Sequence, residues 1–280
     1  VMRILDQSKG LVGLDKMGFE TETIKLWKEA YTSGNGIVLV TGPTGSGKST
    51  TLYATLTRVN TVEEHIITIE DPVERQLEGI IQGHVNERAG MTFAAALRSM
   101  LRQDPDVIMV GEMRDRETAD LAIRAALTGH LVFSTLHTNS AAASYTRLVD
   151  MGCDPFLLTT TIRAILAQRL IRKLCYKCKV KYRPTEKDLK SLGVEKLDGF
   201  IYHANSNGCK TCGKDGYKGR AGIYELLIPN EAINEAVKNE ASAEEVNRIA
   251  SENKMKTLQQ AALTYVVRGD TSVEEISRVL

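Results

Sequence analysis

Residues 42 to 49 have the composition of a loop that binds phosphate. They read Gly-Pro-Thr-Gly-Ser-Gly-Lys-Ser, the pattern G-x-x-x-x-G-K-[ST], and they follow an apolar run and precede a helix-like stretch. Glycines let the backbone adopt positive φ and turn its N–H groups toward phosphate oxygens at the positive end of the next helix. Lys48 is expected to reach the β and γ phosphates, and the Ser49 hydroxyl to bind Mg²⁺. The residues predicted to contact a nucleoside triphosphate are Gly42, Pro43, Thr44, Gly45, Ser46, Gly47, Lys48, Ser49 and Thr50.

Phosphoryl transfer also needs carboxylates that order Mg²⁺ and polarise the attacking water. A first group of acids, Glu70-Asp71-Pro72-Val73-Glu74, follows the apolar stretch Ile66–Ile69. The carboxyl ends of parallel strands are where α/β sheets bind ligands, so Glu74 is a candidate catalytic residue. The alternative, that such an acid only caps a turn, stays open for Asp71.

A second group of acids follows the apolar stretch Val107–Val110. Gly111 occupies the position where a common Walker B strand carries its aspartate, so the Mg²⁺ role is expected to pass to Glu112. Capping of a turn or helix remains an alternative for Asp106 and Asp115.

A histidine ends the next apolar strand, Leu131–Leu136. His137 therefore lies on the expected ligand edge, where it could donate a hydrogen bond to a γ-phosphate. A purely structural role is equally compatible with its position.

Four cysteines form two C-x-x-C pairs, and each pair lies in a turn rich in lysine and glycine. Such turns let two thiolates converge on one tetrahedral metal ion, whereas disulfides are disfavoured in a reducing compartment. The ligands predicted for a structural Zn²⁺ are Cys175, Cys178, Cys209 and Cys212. The fifth cysteine, Cys153, is interpreted as a packed core residue.

The elements that must position these residues alternate along the chain. Strands predicted at 37–41, 66–70, 107–111 and 131–136 alternate with helices at 48–58, 92–103 and 116–128. This βαβ rhythm, with nearly all-apolar strands, predicts a mainly parallel sheet covered on both faces. Further helices are expected at 22–31, 140–151 and 155–170, then a strand near 217–226, three short helices after Pro229 and a last helix that opens near Thr271.

Composition argues against a nucleic-acid-binding protein and against a membrane-spanning or secreted one. The formal net charge of +1 leaves no overall electrostatic footprint for nucleic acid. No apolar run approaches the roughly 20 residues that cross a bilayer, and no signal peptide is evident, so a cytoplasmic location is expected. The chain opens on a strand-like stretch without a turn or cap before it, and we interpret it as a fragment of a larger protein.

Five motifs, taken in order, resemble the bacterial traffic ATPases of type II secretion and type IV pilus assembly. They are the loop at 42–49, the acidic stretch 67–74, Val110–Asp115, Ala122–His130 and Ser134–Asn139. The resemblance implies an α/β fold with a RecA-like P-loop core, a small four-cysteine zinc element and a C-terminal helical region. It also implies a homo-hexameric ATPase that works beneath an inner-membrane platform protein and an associated cytoplasmic membrane-complex component, held at the membrane through these partners.

Roles for single residues follow from the same resemblance. Glu74 becomes the water-activating base of the family's Asp box, Glu112 fills the atypical Walker B role, and His137 belongs to the His box. Arg3 matches one of the arginines that relatives supply to a neighbouring subunit's nucleotide. A solvent-exposed strand-end charge is the alternative for Arg3. Because the expected partner arginine upstream is absent from this sequence, unaided activity of this chain is in doubt. The four-cysteine element favours an assembly or secretion motor over a retraction motor.

The expected division of the chain has four parts. Residues 1–20 are the end of an N-terminal domain with its linker, 21–172 the ATPase core, 173–216 the zinc element, and 217–280 the C-terminal strand and helices.

Two other functions are open from the sequence. The first is a nucleic-acid translocase with a zinc ribbon, against which stand the near-neutral charge and an aromatic content of 5%. The second is a nucleotide-gated assembly switch that binds ATP with negligible turnover.

Overall fold

The computed structural model describes residues 11–280, and the structural statements below concern that part of the chain. Arg3 lies outside the described residues, so its role stays a prediction.

Helices and strands alternate through the first half of the described chain. The helices are α1 (Thr21–Tyr31), α2 (Lys48–Val59), α3 (Phe93–Met100), α4 (Arg116–Leu127), α5 (Ala143–Asp150), α6 (Pro155–Thr161), α7 (Glu186–Leu192), α8 (Glu231–Lys238), α9 (Ala243–Glu252), α10 (Leu258–Val267) and α11 (Val273–Val279). The strands are β1 (Gly36–Thr41), β2 (Ile66–Glu70), β3 (Ile81–His84), β4 (Val107–Val110), β5 (Leu131–Leu136), β6 (Ile162–Leu174), β7 (Val180–Tyr182), β8 (Ile201–His203) and β9 (Tyr217–Leu227). None of these helices combines the length and the apolar character that a bilayer span requires.

The main sheet contains seven strands in the order β3-β2-β4-β5-β1-β6-β9. Its pairs from β3 through β6 are parallel. Strands β1, β2, β4 and β5 are buried along their whole length, as in a parallel sheet with both faces covered. Thr41 pairs with Leu136 and Val110 pairs with Ser134, so the carboxyl ends of these strands meet at one edge. The predicted α/β class with a mainly parallel sheet is confirmed.

The predicted helix over 155–170 is wrong beyond its first two turns. Helix α6 ends at Thr161, and β6 begins at Ile162 and pairs in parallel with β1. Residues 162–174 are rich in leucine, isoleucine and alanine and are buried almost throughout. These apolar residues are mixed with Arg163, Gln168 and Arg169, so the segment has no regular period that would distinguish a buried strand from a buried helix. Pairing with β1 decides the outcome.

The chain divides into two compact units. The first comprises the described residues up to Ala167 together with Leu226–Met255, and it holds β1 to β5 and the loops that follow them. The second comprises Gln168–Glu225 and Lys256–Leu280. It contains the antiparallel pair β7-β8, the four cysteines, and helices α7, α10 and α11.

Candidate functional site

The glycine-rich loop joins β1 to α2 and has the backbone geometry that its sequence predicts. Gly42, Gly45 and Gly47 have φ of 148°, 79° and 91°, in the region that residues with a Cβ rarely adopt. Gly47 is the N-cap of α2 and forms no side-chain cap. Since the first-turn N–H groups of a helix have no partner within the helix, those of α2 can serve an anion.

Lys48 folds back over this loop. Its Nζ donates to the carbonyl oxygens of Gly42 at 2.9 Å and Pro43 at 3.2 Å. Ser49 and Thr50 follow in the first turn of α2 and are partly exposed. The ammonium group of Lys48 therefore lies over the loop, and Ser49 lies in the helical turn that follows it. Both residues are placed where they could bind a phosphate chain and its cation.

Threonine side chains fix the loop to the end of β5. The Oγ1 atoms of Thr41 and Thr138 lie 2.7 Å apart, and the N–H of Thr138 donates to Thr41 Oγ1 at 3.0 Å. His137 immediately precedes Thr138 and is 44% exposed. The histidine is thus anchored beside the phosphate-binding loop with its ring accessible.

Glu112 and His137 are brought together, as their positions at adjacent strand ends predict. His137 Nε2 lies 3.7 Å from Glu112 Oε2. Arg114 binds the same carboxylate through Nε at 2.9 Å and Nη2 at 3.1 Å. The carboxylate of Glu112 therefore faces the guanidinium of Arg114 and the imidazole of His137 at the edge of the sheet.

Charges around Glu112 keep it ionised. Burial raises the pKa of Glu112, but the hydrogen bond and charge of Arg114, with the charges of His137 and Lys48, outweigh it and hold the pKa below its ordinary value. A carboxylate that is ionised at neutral pH suits a role in ordering Mg²⁺. The contribution of Lys48 also links Glu112 to the phosphate-binding loop.

Gly111 has a packing reason to be glycine. A Cβ at this position would lie 3.2 Å from the carbonyl oxygen of Ile69 and 3.3 Å from the Cα of Glu70. The N–H of Gly111 donates to that same carbonyl at 2.8 Å. The close approach of β4 to β2 makes a side chain at this position tight, which favours glycine where an aspartate would otherwise stand.

The three acids of the first group, Glu70, Asp71 and Glu74, lie in different environments. Glu70 is 4% exposed at the end of β2, whereas Asp71 is exposed and lies 3.4 Å from Nη1 of Arg114. Glu74 is half-buried, and its N–H donates to the Tyr53 hydroxyl at 3.1 Å. Glu74 therefore follows the strand next to the one that leads to Glu112.

Two other acids take the capping roles that the sequence left open. Asp115 is the N-cap of α4 and accepts from the N–H of Thr118 at 2.9 Å. Asp106 accepts from the N–H of His65 at 2.7 Å. Both carboxylates are engaged by backbone donors, so the structural interpretation fits them better than a catalytic one.

Sequence reasoning missed Arg114, which joins two of the motifs. Its guanidinium contacts both Asp71 and Glu112 and lies 5.8 Å from the centre of the Phe93 ring. The sequence did contain a signal for Arg114, because it follows Glu112, the acid at the end of an apolar strand, by two residues. Tyr53 and Gln82, whose contacts are described below, carried no comparable signal.

The four predicted cysteines form one cluster. Their Sγ atoms all lie within 4.8 Å of one another, with distances of 3.7 Å for Cys175–Cys209 and 3.8 Å for both Cys178–Cys212 and Cys209–Cys212. A tetrahedron with Zn–S bonds of about 2.3 Å has edges of about 3.8 Å, so this donor set fits Zn²⁺.

Two backbone N–H groups donate hydrogen bonds to one sulfur of the cluster, as in thiolate sites. The N–H groups of Cys209 and Gly216 donate to Cys212 Sγ at 3.2 and 3.3 Å. Backbone hydrogen bonds, chiefly from Cys212, lower the pKa of Cys209 to about 6. Cys153 is 3% exposed and lies outside the cluster, and burial raises its pKa to about 11, as for a packed thiol.

Comparison with known proteins agrees with this arrangement. The sequence model of the family described as "Type II/IV secretion system protein" matches residues 1–278. "Type II secretion system protein E" of Pseudomonas aeruginosa is 49% identical over 279 residues, which are all of this chain and 55% of that protein. "Type IV pilus assembly ATPase PilB" of the same organism is 47% identical over 281 residues, 49% of its length. The chain thus spans about half the length of these relatives.

A solved structure has the same fold. The crystal structure of the pilus retraction motor PilT with bound ADP superposes with a TM-score of 0.71 at 33% identity, covering 97% of this chain and 67% of that one. The Legionella pneumophila ATPase DotB gives a TM-score of 0.68 at 26% identity over 95% of this chain. With a family match along almost its entire length and relatives near 50% identity, the chain belongs to the type II/IV secretion system protein family.

Proposed function

We propose that this chain is the ATP-hydrolysing part of a motor that powers assembly of a type IV pilus or a type II secretion pseudopilus. The observation that carries the proposal is the meeting of the glycine-rich loop, the Glu74 loop, Glu112 and His137 at one edge of the parallel sheet. Support comes from relatives named as secretion protein E and as a pilus assembly ATPase, and from the fold shared with PilT.

The loop and α2 bind the triphosphate in this proposal. The glycine N–H groups and the first turn of α2 receive phosphate oxygens, and Lys48 exchanges its carbonyl partners for the β and γ phosphates. The Ser49 hydroxyl and the ionised Glu112 hold Mg²⁺, which neutralises charge on the phosphates when bound.

Glu74 is the residue that activates water. Its carboxylate accepts a proton from the water as the water attacks the γ-phosphorus, while the bond from that phosphorus to the bridging oxygen breaks and ADP leaves. His137, anchored beside the loop, donates a hydrogen bond to the γ-phosphate in this proposal. Because its Nε2 lies 3.7 Å from Glu112, the histidine couples the γ-phosphate to that carboxylate.

The four-cysteine cluster holds a structural Zn²⁺ in this proposal. All four positions are filled by thiolates, so the ion keeps no open site for substrate and contributes to folding alone.

The proposed function also includes assembly of several copies of the chain. We place the protein in a homo-hexamer in the cytoplasm, held at the inner membrane by a platform protein and an associated cytoplasmic component. Arg3 is proposed to serve the nucleotide of a neighbouring subunit, where an arginine neutralises the charge that develops on the transferred phosphoryl group.

Replacement of Glu74 by glutamine tests the catalytic assignment. We expect Glu74→Gln to lower ATP turnover by roughly 10²- to 10⁴-fold, because general base catalysis is removed while the loop and Lys48 remain. Affinity for a fluorescent ATP analogue should stay within about two-fold. Glu78→Gln, an exposed acid in the same loop region, is the matched control and should keep normal turnover.

Other outcomes assign other functions. Turnover that persists in Glu74→Gln excludes Glu74 as the base. Negligible turnover in the unaltered full-length gene product, with tight ATP binding, indicates a nucleotide-gated switch. Salt-sensitive DNA binding with DNA-stimulated turnover indicates a translocase.

A further inference from the structure

A buried carboxylate at the end of β2 has no task in the mechanism above. Glu70 is 4% exposed, and each of its oxygens is hydrogen-bonded. Oε1 accepts from Thr68 Oγ1 at 2.6 Å and from Gln82 Nε2 at 3.0 Å, and Oε2 accepts from the Tyr53 hydroxyl. Burying a carboxylate costs free energy unless donors satisfy it, so this set of donors must hold Glu70 in one orientation.

Tyr53 connects that carboxylate to the loop that carries Glu74. Tyr53 belongs to α2, the helix that starts at Lys48, and its side chain is buried. The hydroxyl donates a hydrogen bond to Glu70 Oε2 and accepts one from the N–H of Glu74 at 3.1 Å. Burial, followed by the hydrogen bond and charge of Glu70, raises the pKa of Tyr53, so the phenol keeps the proton with which it donates to Glu70.

The second half of the loop is held by Gln82 from β3. The N–H of Leu77 donates to Gln82 Oε1 at 2.7 Å, and Gln82 Nε2 donates to the carbonyl oxygen of Arg75 at 3.0 Å. The same Nε2 reaches Glu70. Gln82 therefore binds the loop and the buried carboxylate at once.

The first residue of this segment follows the same pattern, since the N–H of Val73 donates to His84 Nδ1 at 3.2 Å. The N–H groups of Val73, Glu74 and Leu77 thus each donate to a side chain from α2 or β3. Side chains, rather than a backbone ladder, set the position of the segment 73–77.

We propose that Tyr53 and Gln82, oriented by Glu70, are positioning residues for Glu74. Tyr53 ties the loop of the catalytic base to α2, the helix that begins at the phosphate-binding loop, and Gln82 ties the same loop to β3 and to Glu70. Together they hold the base at a fixed position relative to the phosphate. The inference rests on the proposed role of Glu74. A displacement of a reacting group by about 1 Å can cost 10²-fold in rate, so loss of either tie is expected to lower turnover strongly.

Removal of the Tyr53 hydroxyl is the direct test. In the full-length gene product that contains these residues, Tyr53→Phe is expected to lower kcat by about 10- to 100-fold, with KM for ATP and affinity for a fluorescent ATP analogue within about two-fold. Tyr145→Phe is the matched control, because Tyr145 is a buried tyrosine of α5 whose hydroxyl has no hydrogen-bond partner among the described residues. It should leave kcat unchanged.

A double variant separates positioning from other roles. If Tyr53 acts through Glu74, then adding Tyr53→Phe to Glu74→Gln lowers the residual turnover no further. An equal, multiplicative loss in that background overturns the proposal, as does an unchanged kcat in Tyr53→Phe alone. If Tyr53→Phe fails to fold, Gln82→Met carries the same test with the same overturning results, since Gln82 is only partly buried.

Hydrogen exchange distinguishes this proposal from the proposed function. The amides of residues 73–77 should exchange faster in Tyr53→Phe than in the unaltered protein, while those of β1 stay unchanged. If Glu74→Gln keeps full turnover but these amides do exchange faster, the base assignment is wrong and the structural tie stands. If the amides do not respond, the tie itself is wrong.

Discussion

Glycine 111 illustrates how one residue can set the chemistry of this site. Where its N–H meets the carbonyl oxygen of Ile69, a Cβ would contact the backbone of β2 at 3.2 to 3.3 Å, which favours glycine. The carboxylate at this strand end comes instead from the next residue, Glu112. There the charges of Arg114, His137 and Lys48 hold the pKa down against the effect of burial. The glycine thus follows from backbone packing, whereas the ionised state of Glu112 follows from the charges around it.

Gly111→Ala should destabilise the protein by about 1–3 kcal/mol, because the added Cβ meets backbone atoms that cannot move aside without shifting β2. Urea unfolding measures the change. Gly83→Ala is the matched control, since Gly83 lies in β3 of the same sheet and its Cβ would make only ordinary contacts at 3.4 Å. Equal stabilities for the two variants would contradict the packing argument.

Most elements in the first half of this chain lie where the apolar pattern and the flanking turn residues of the sequence predict them. Strands β1, β2, β4 and β5 and helices α1 to α5 lie within a few residues of their predicted positions. β3 was missed because Ile81-Gln82-Gly83-His84 is a largely polar strand at the edge of the sheet. The helix predicted through residue 170 was wrong because α6 ends at Thr161 and β6 begins at the next residue, Ile162, with no turn residue between them to mark the change. In both cases strand pairing outweighed local pattern.

The contact between α11 and β6 is expected to make the free energy of unfolding fall at low pH. Glu275 has a fully buried side chain, and its oxygens accept from Arg172 at 2.9 Å and from Arg278 at 2.6 and 3.0 Å. Burial opposes ionisation, but these hydrogen bonds prevail and lower the pKa of Glu275 from 4.5 to about 2. A lowered folded-state pKa stabilises the protein above the unfolded value. That contribution, about 3 kcal/mol, is lost as the pH falls from about 4.5 to about 2.

Urea unfolding between pH 5 and pH 2.5 measures this loss. Glu275→Gln should be less stable at pH 7 and should show a flatter decline toward low pH, whereas Glu274→Gln, the exposed neighbour, should keep the original decline. Parallel curves for Glu275→Gln and the unaltered protein would contradict the assignment.

The four-cysteine cluster joins two turns that lie far apart in the sequence. Purified protein should carry zinc near one equivalent per chain, and Cys175→Ser should lose the metal and lower the melting temperature, because structural zinc contributes directly to folding. Metal analysis and thermal unfolding measure both effects. Cys153→Ala should retain the zinc, since Cys153 lies outside the cluster. Zinc-free protein with an unchanged melting temperature in Cys175→Ser would contradict a structural role.

At the scale of the whole molecule, the chain consists of two units with different tasks. The first carries the edge of the sheet at which we propose that nucleotide binds, and the second carries the cysteine cluster. Since the chain spans about half the length of its relatives, its activity is proposed to depend on parts supplied by further residues and by neighbouring copies.

Turnover as a function of protein concentration tests that dependence. We expect the full-length gene product to hydrolyse more ATP per subunit as its concentration rises, while the 280-residue chain binds ATP but stays near background. The reason is that the arginine expected upstream of Arg3 is not among these 280 residues, and an arginine supplied in trans can be worth about 10³-fold or more. Arg3→Ala should lower the concentration-dependent rate. A rate that is independent of concentration in the 280-residue chain would show that each subunit acts alone.

The sequence by itself determined the phosphate-binding loop, the two acidic groups, the histidine, the cysteine quartet and the α/β class. These depend on residue types at short spacing, for which local backbone chemistry suffices. Only the tertiary structure decided that Arg114 joins Asp71 to Glu112, that Tyr53 and Gln82 hold the Glu74 loop, and that residues 162–174 form a strand. Each of these depends on partners distant in the chain, which meet only when parallel strands align their carboxyl ends at one edge of the sheet.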